Sequence, residues 1–186
     1  PHLSLPENLG IRFIFPHAPK RPVTINGGIV MRAWYDISNQ RFIDKEDITG
    51  IRASEKSICQ LIRREIDNGI EASKIVLAGF SQGGAIALHA GLRYPESLAG
   101  ILALSTYLPL ARTLPEERHN NNNDIDIMMA HGTQDNIVPF KLAQQSCQFM
   151  KELGCRISWH NYPMEHSVCP EEIKDIACWL KQRLYS

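Results

Sequence analysis

Short unbroken apolar runs alternate along the chain with longer segments whose apolar residues recur every three to four positions. The first run, residues 11–15 (IRFIF), is closed by Pro16 and Pro19 and predicts a buried strand that ends in a loop. Residues 16–46 carry three prolines and the Gly27-Gly28 pair and are expected to be a long, function-bearing loop. From 45 to 68 the spacing of Ile48, Ile51, Ile58, Leu61, Ile62 and Ile66, with charges between and Gly69 after, predicts an amphipathic helix.

Residues 74–78 (KIVLA), 99–105 (AGILALS), 126–130 (DIMMA) and 156–162 (RISWHNY) read as strands. The first of these has no polar alternation, as expected where helices cover both faces of a sheet. Helices are predicted over 82–93, over 139–153 with Gly154 as a stop, and over 170–184 with Pro170 in the first turn. The connection 107–124 contains four consecutive asparagines at 120–123, read as a solvated loop tip without chemistry. Strand and helix alternate from 74 onward, which predicts an α/β architecture: a mostly parallel sheet, helices on both faces, and sites at the C-terminal ends of the strands.

At 186 residues the chain has the length of one domain, 1–186, with a sizeable core. Its 20 Lys and Arg balance 20 Asp and Glu with no basic run, so nucleic acid is excluded as an expected partner. No apolar stretch is long enough for an integral membrane segment, and the opening residues lack a secretory pattern, so a soluble, cytoplasmic protein is expected. Five cysteines without a CxxC pair argue for reduced thiols rather than a disulfide framework or a zinc site. Seven histidines without HExxH or helical i, i+4 pairing give no metal site, and no cofactor is expected.

Gly79-Phe80-Ser81-Gln82-Gly83 matches GxSxG, directly after one predicted strand and directly before a helix. In that context the serine sits on a strained turn as a nucleophile, and the glycines give the bend its room. A serine hydroxyl needs a general base, and the base needs an orienting carboxylate, in the chain order Ser, Asp, His. Asp135 in HGTQDNIVP and His166 in PMEHSVCP each follow a predicted strand and satisfy that order. Asp135 also suits an Asx turn, and His166 a surface loop. Asp124 and Asp126 sit at the wrong end of their strand, His160 falls inside one, and His131 precedes Asp135. His89 reads as a packed or half-exposed helix residue.

GFSQGG, HGTQDNIVP and YPMEHSVCPEEI, with FPHAPKRPVTINGG and AWYDI upstream, resemble the phospholipase/carboxylesterase family of α/β-hydrolases, which includes the acyl-protein thioesterases. The resemblance runs from about residue 11 to 184. It implies the α/β-hydrolase fold and a triad of Ser81, Asp135 and His166, with the backbone N–H of Gln82 as an oxyanion donor. It further implies cofactor-free hydrolysis of small-molecule or lipid acyl esters, or of S-acylated proteins. Trp34 and Leu108 lie on loops expected near the site and are candidates either for an acyl pocket or for simple core packing. Glu165, directly before His166, is unusual for the family.

Members of this family begin with a further strand and an HGLG-like loop that supplies a second oxyanion donor, and nothing before IRFIF provides one. The expectation is therefore an N-terminally incomplete hydrolase domain, with roughly 20–40 further residues in the native protein. The alternatives are a non-catalytic binding module on a hydrolase scaffold, or a hydrolase of another bond such as a lactone.

Overall fold

The computed structural model describes residues 10–39 and 42–184 together with Leu3, Leu5 and Pro6. Two sheets form. The smaller is an antiparallel hairpin of β1 (Lys20–Val23) and β2 (Ile29–Arg32), turned at Gly27 and Gly28, whose φ values of 68° and 77° suit glycine. It lies inside the segment expected to be loop. Ile29, Val30 and Met31 are all exposed, so β2 has no buried face to impose the alternation by which a strand is recognised.

Between the sheets runs α1 (Ile48–Asp67), capped by Asp47, whose Oδ1 accepts from the Gly50 N–H at 2.9 Å. The larger sheet follows, parallel throughout and in sequential order: β3 (Val76–Phe80), β4 (Gly100–Leu104), β5 (Asp126–Gly132) and β6 (Arg156–Tyr162). The crossovers carry α2 (Gln82–Arg93), the single turn α3 (Leu114–Glu117) and α4 (Phe140–Glu152), and α5 (Pro170–Leu184) closes the chain.

Strand periodicity sorts the core into two layers. Ile101, Ala103, Ile127 and Met129 point to one face and pack with Ile62 of α1, Leu88 and Leu92 of α2, and Cys147 and Met150 of α4. Leu102 and Met128 point the other way, onto Ile176, Trp179 and Leu180 of α5. Helices thus cover both faces, and β4 and β5, in the middle, are the fully buried strands. Among the described residues β3 and β6 are flanked by a strand on one side only, and they stay half-exposed.

Two sequence expectations are corrected. Residues 11–15 form no strand: Phe13, Ile14 and Phe15 are exposed, the first and last stack on each other, and Arg12 pairs with Glu65 of α1. An apolar run becomes a buried strand only where a neighbouring strand takes its hydrogen bonds, and among the described residues none does. The asparagine run is not merely solvated. Asn122 is buried, donates from Nδ2 to the carbonyls of Tyr94 and Glu96 at 2.7 and 2.9 Å, and accepts the Leu98 N–H at 3.0 Å. Its amide supplies backbone partners to a connection that has no ladder of its own.

Candidate active site

β3 runs into Ser81, which has φ 54° and ψ −123°, and α2 begins at the next residue. A non-glycine residue held at positive φ costs on the order of 1–3 kcal/mol and persists only where its surroundings fix it. Here the Ser81 N–H donates to the Leu104 carbonyl at 2.9 Å, and the Ser81 carbonyl accepts from the Ala85 N–H at 3.0 Å and the Thr106 hydroxyl at 2.8 Å. The Ser81 side chain makes no capping bond to α2, so its hydroxyl stays available for chemistry.

The glycines of the motif differ in what they do. A Cβ on Gly79 would lie 2.1 Å from the Gly83 carbonyl carbon, and one on Gly84 would lie 2.8 Å from the Gly79 oxygen and from Thr106 Cγ2. These two let helix and strand approach. A Cβ on Gly83 would meet only the Trp34 indole nitrogen, at 3.9 Å, so the second glycine of GxSxG is not sterically required by the turn.

Asp135 sits in the loop after β5, where its side chain is fully buried. Its Oδ1 accepts the N–H groups of Ile137 and Val138, each at 2.9 Å, which is the Asx turn. Its Oδ2 lies 2.7 Å from Nδ1 of His166. The Asx turn and the contact to His166 are therefore carried on separate oxygens. His131, also buried, places Nε2 2.9 Å from the Val138 carbonyl and 3.3 Å from the same Asp135 Oδ2. Burial pushes the His131 pKa down, so it faces the carboxylate as a neutral ring.

His166 lies in the loop after β6, which is zipped to the Asp135 loop by the Thr133 N–H donating to the Tyr162 carbonyl at 2.8 Å and the Gln134 N–H donating to the Met164 carbonyl at 3.0 Å. Gly132 makes that approach possible, since a Cβ there would sit 2.2 Å from the Met164 oxygen. The imidazole packs 4.7 Å from the ring of Phe80, the residue before Ser81. In the tautomer whose Nδ1–H donates to Asp135, Nε2 is the accepting nitrogen.

Gln82 contributes more than its backbone. Its Oε1 accepts the Trp34 N–H at 3.1 Å and its Nε2 donates to the Tyr35 carbonyl at 2.9 Å. Trp34 is half-buried beside this junction. Leu108 is 1% exposed within the main core, where its N–H is taken by the Ser146 hydroxyl at 3.0 Å. Of the rivals, His131 lies against Asp135, and the others lie elsewhere. His89 is buried against Glu55, His160 faces Asp175, Asp124 is at the far end of β5, and Asp126 pairs with Arg156. Among the described residues no cluster of His, Cys, Asp or Glu has the makings of a metal site, and no helix is long and apolar enough to cross a membrane.

The family model for phospholipases and carboxylesterases matches residues 6–184. The chain belongs to that family. Acyl-protein thioesterase 1 of Gibberella zeae is 41% identical over 182 residues, covering 94% of this chain and 77% of the relative. Its namesake from Neurospora crassa is 42% identical over 94% and 74% of the two chains. Among solved structures, Arabidopsis thaliana SOBER1 superposes with a TM-score of 0.92 at 31% identity, over 98% of this chain and 89% of that one. Zea mays acyl-protein thioesterase 2 gives 0.81 at 28% identity, over 91% and 80%. This family member is an α/β-hydrolase of esters or thioesters.

Thr106 and the side chain of Gln82 escaped the reading of the sequence. The polar Ser105-Thr106 pair ending the run GILAL was the available signal for the first, since it places a hydroxyl at the edge beside the elbow. Nothing in the linear pattern connects Gln82 to residues 34 and 35.

Proposed function

We propose that hydrolysis runs through Ser81 as nucleophile, His166 as general base and acid, and Asp135 as the carboxylate that orients it. The observation that carries this reading is the 2.7 Å contact from Asp135 Oδ2 to His166 Nδ1, with the other Asp135 oxygen locked by two backbone N–H groups. A carboxylate so fixed dictates the tautomer of the ring and stabilises the imidazolium formed when Nε2 takes the Ser81 proton. Ser81 Oγ then attacks the acyl carbonyl. The N–H of Gln82, in the first turn of α2, has no intrahelical acceptor and receives the oxyanion. As the tetrahedral intermediate collapses, His166 gives its proton to the leaving thiolate or alkoxide, and water repeats the sequence on the acyl-enzyme.

The substrate in this reading is an S-acylated protein, with small or lipid acyl esters accepted as well. Support comes from the acyl-protein thioesterases among the relatives and from the apolar rim. Phe80, Ile137 and Val168 are exposed large hydrophobic residues, and each is within two positions of a triad member. The five unpaired cysteines fit a reducing compartment such as the cytoplasm. Turnover of an S-palmitoylated peptide beside p-nitrophenyl esters of short to long chains tests the assignment. Hydrolysis of the thioester that is lost in Ser81→Ala is expected. Ester cleavage with an inert thioester would remove the protein substrate, and turnover surviving in Ser81→Ala would remove the nucleophile.

A further inference from the structure

From the two bonds of its amide we infer that Gln82 is a positioning residue, whose side chain fixes its own backbone N–H as the oxyanion donor by latching it to the Trp34-Tyr35 backbone. The inference rests on the triad reading above and goes beyond it. Its first element is the geometry of the amide: Oε1 accepts from Trp34 N–H at 3.1 Å while Nε2 donates to the Tyr35 carbonyl at 2.9 Å. Reversing the amide would set N–H against N–H and oxygen against oxygen, so both bonds exist in only one orientation. The side chain thus pairs with the chain at 34–35 much as a neighbouring strand would.

The second element is that the segment grasped is itself held. The Trp34 carbonyl accepts the Ser54 hydroxyl of α1. The Tyr35 hydroxyl, fully buried, meets that of Tyr107 at 3.1 Å, and the Asp36 N–H donates to the α1 cap Asp47 at 2.9 Å. Gln82 therefore reaches for a fixed anchor.

The third element is what lies on the near side of the latch. The peptide plane between Ser81 and Gln82 follows a residue at φ 54° and ψ −123°, outside the favoured regions, so it has no deep conformational well of its own. On the Ser81 side the plane is held through its own carbonyl, which accepts the Thr106 hydroxyl and the Ala85 N–H, while the Ser81 N–H donates to Leu104. Beyond it, the Gln82 side chain is the restraint that reaches across to another part of the chain. Because Gln82 lies in the first turn of α2, where the helix sets its φ, holding its side-chain amide at both ends limits the movement of its Cα and so keeps the adjoining N–H aimed where charge develops. A donor aimed in advance stabilises the transition state more than the ground state.

The test uses Gln82→Met, which keeps length and loses both bonds, and Gln82→Ala, with Ser54→Ala as a variant that loosens the same segment from the α1 side and leaves the latch intact. Turnover of p-nitrophenyl butyrate gives kcat and KM separately, and inhibition by phenylboronic acid, whose serine adduct places an oxygen in the oxyanion position, gives a readout of the donor itself. Both Gln82 variants are expected to lose about tenfold or more in kcat, with KM within about twofold, and to bind the boronic acid more weakly by a similar factor. Ser54→Ala is expected to lower the melting temperature with a smaller kcat effect. A rise in KM at constant kcat, or a fall in kcat with boronic acid affinity unchanged, overturns the inference. Ser81→Ala is run beside them: if it retains turnover the nucleophile is wrong, whereas an inactive Ser81→Ala with fully active Gln82 variants removes only the latch.

Discussion

The Thr106 hydroxyl donates to the Ser81 carbonyl at 2.8 Å, so the end of β4 braces the strained residue at the end of β3. Because Thr106 lies where two parallel strands end side by side, the brace costs no additional chain. Thr106→Val keeps the shape and removes the donor, leaving the Ala85 N–H as the remaining partner of that carbonyl. It is expected to cost about 1 kcal/mol of stability. It is further expected to lower kcat about three- to tenfold with KM little changed, read from thermal melting and ester kinetics on one preparation.

Asp135→Asn separates the two duties of this side chain. Its carbonyl oxygen can still accept the Ile137 and Val138 N–H groups, so the loop should hold and the melting temperature should stay within a few degrees. The charge facing His166 is lost, and kcat is expected to fall on the order of 10³–10⁴. A large drop in melting temperature would mean that the carboxylate acts mainly as scaffold.

The motif glycines make a steric prediction. Gly79→Ala would drive a Cβ into the backbone of Gly83 and Gly84, at 2.1 and 2.4 Å, where no flexible side chain can yield. Loss of soluble protein or destabilisation of about 3 kcal/mol is expected. Gly83→Ala meets nothing closer than 3.9 Å and gains helix propensity, so it should melt at or above the parent. Parallel melts of the two variants decide this.

How far the sequence carries can be seen residue by residue. α2 and α5 fall where the periodicity places them, at 82–93 and 170–184, because both have a strongly apolar face and a clear start. Asp135 and His166 were legible from chain order and strand ends alone, and the structure brings those two together. The β1–β2 hairpin was not legible, since β2 is exposed along its length and β1 buries only Val23, too little to show an alternation. Residues 11–15 misled for the opposite reason: their apolarity resembles a buried strand, but pairing is a property of neighbours. Leu108 shows the same limit, as a loop leucine is apolar whether it lines a pocket or fills the core.

Glu172 gives the chain a pH dependence of definite sign. Its carboxyl is buried in the first turn of α5, neither oxygen reaches a partner at hydrogen-bonding geometry, and burial, offset only in part by the Cys169 N–H, raises its pKa from 4.5 to about 7. A carboxyl with a higher pKa folded than unfolded binds more protons in the native state. Its contribution is therefore most favourable at low pH and declines as pH rises from about 4.5 to about 7. Glu172→Gln keeps the neutral shape, so it should melt with the parent near pH 4.5 and several degrees higher at pH 8, corresponding to at most about 3 kcal/mol. Equal melting of the two proteins at pH 8 would contradict it.

The proposed activation of Ser81 by His166 and Asp135 is read directly by covalent capture. The protein is incubated with an alkyl fluorophosphonate, its intact mass is followed over time, and the adduct is mapped by peptide mass spectrometry. One adduct per chain on Ser81 is predicted, absent in Ser81→Ala and formed at least a hundredfold more slowly in His166→Ala. An adduct on another residue, or undiminished labelling in either variant, would contradict the account.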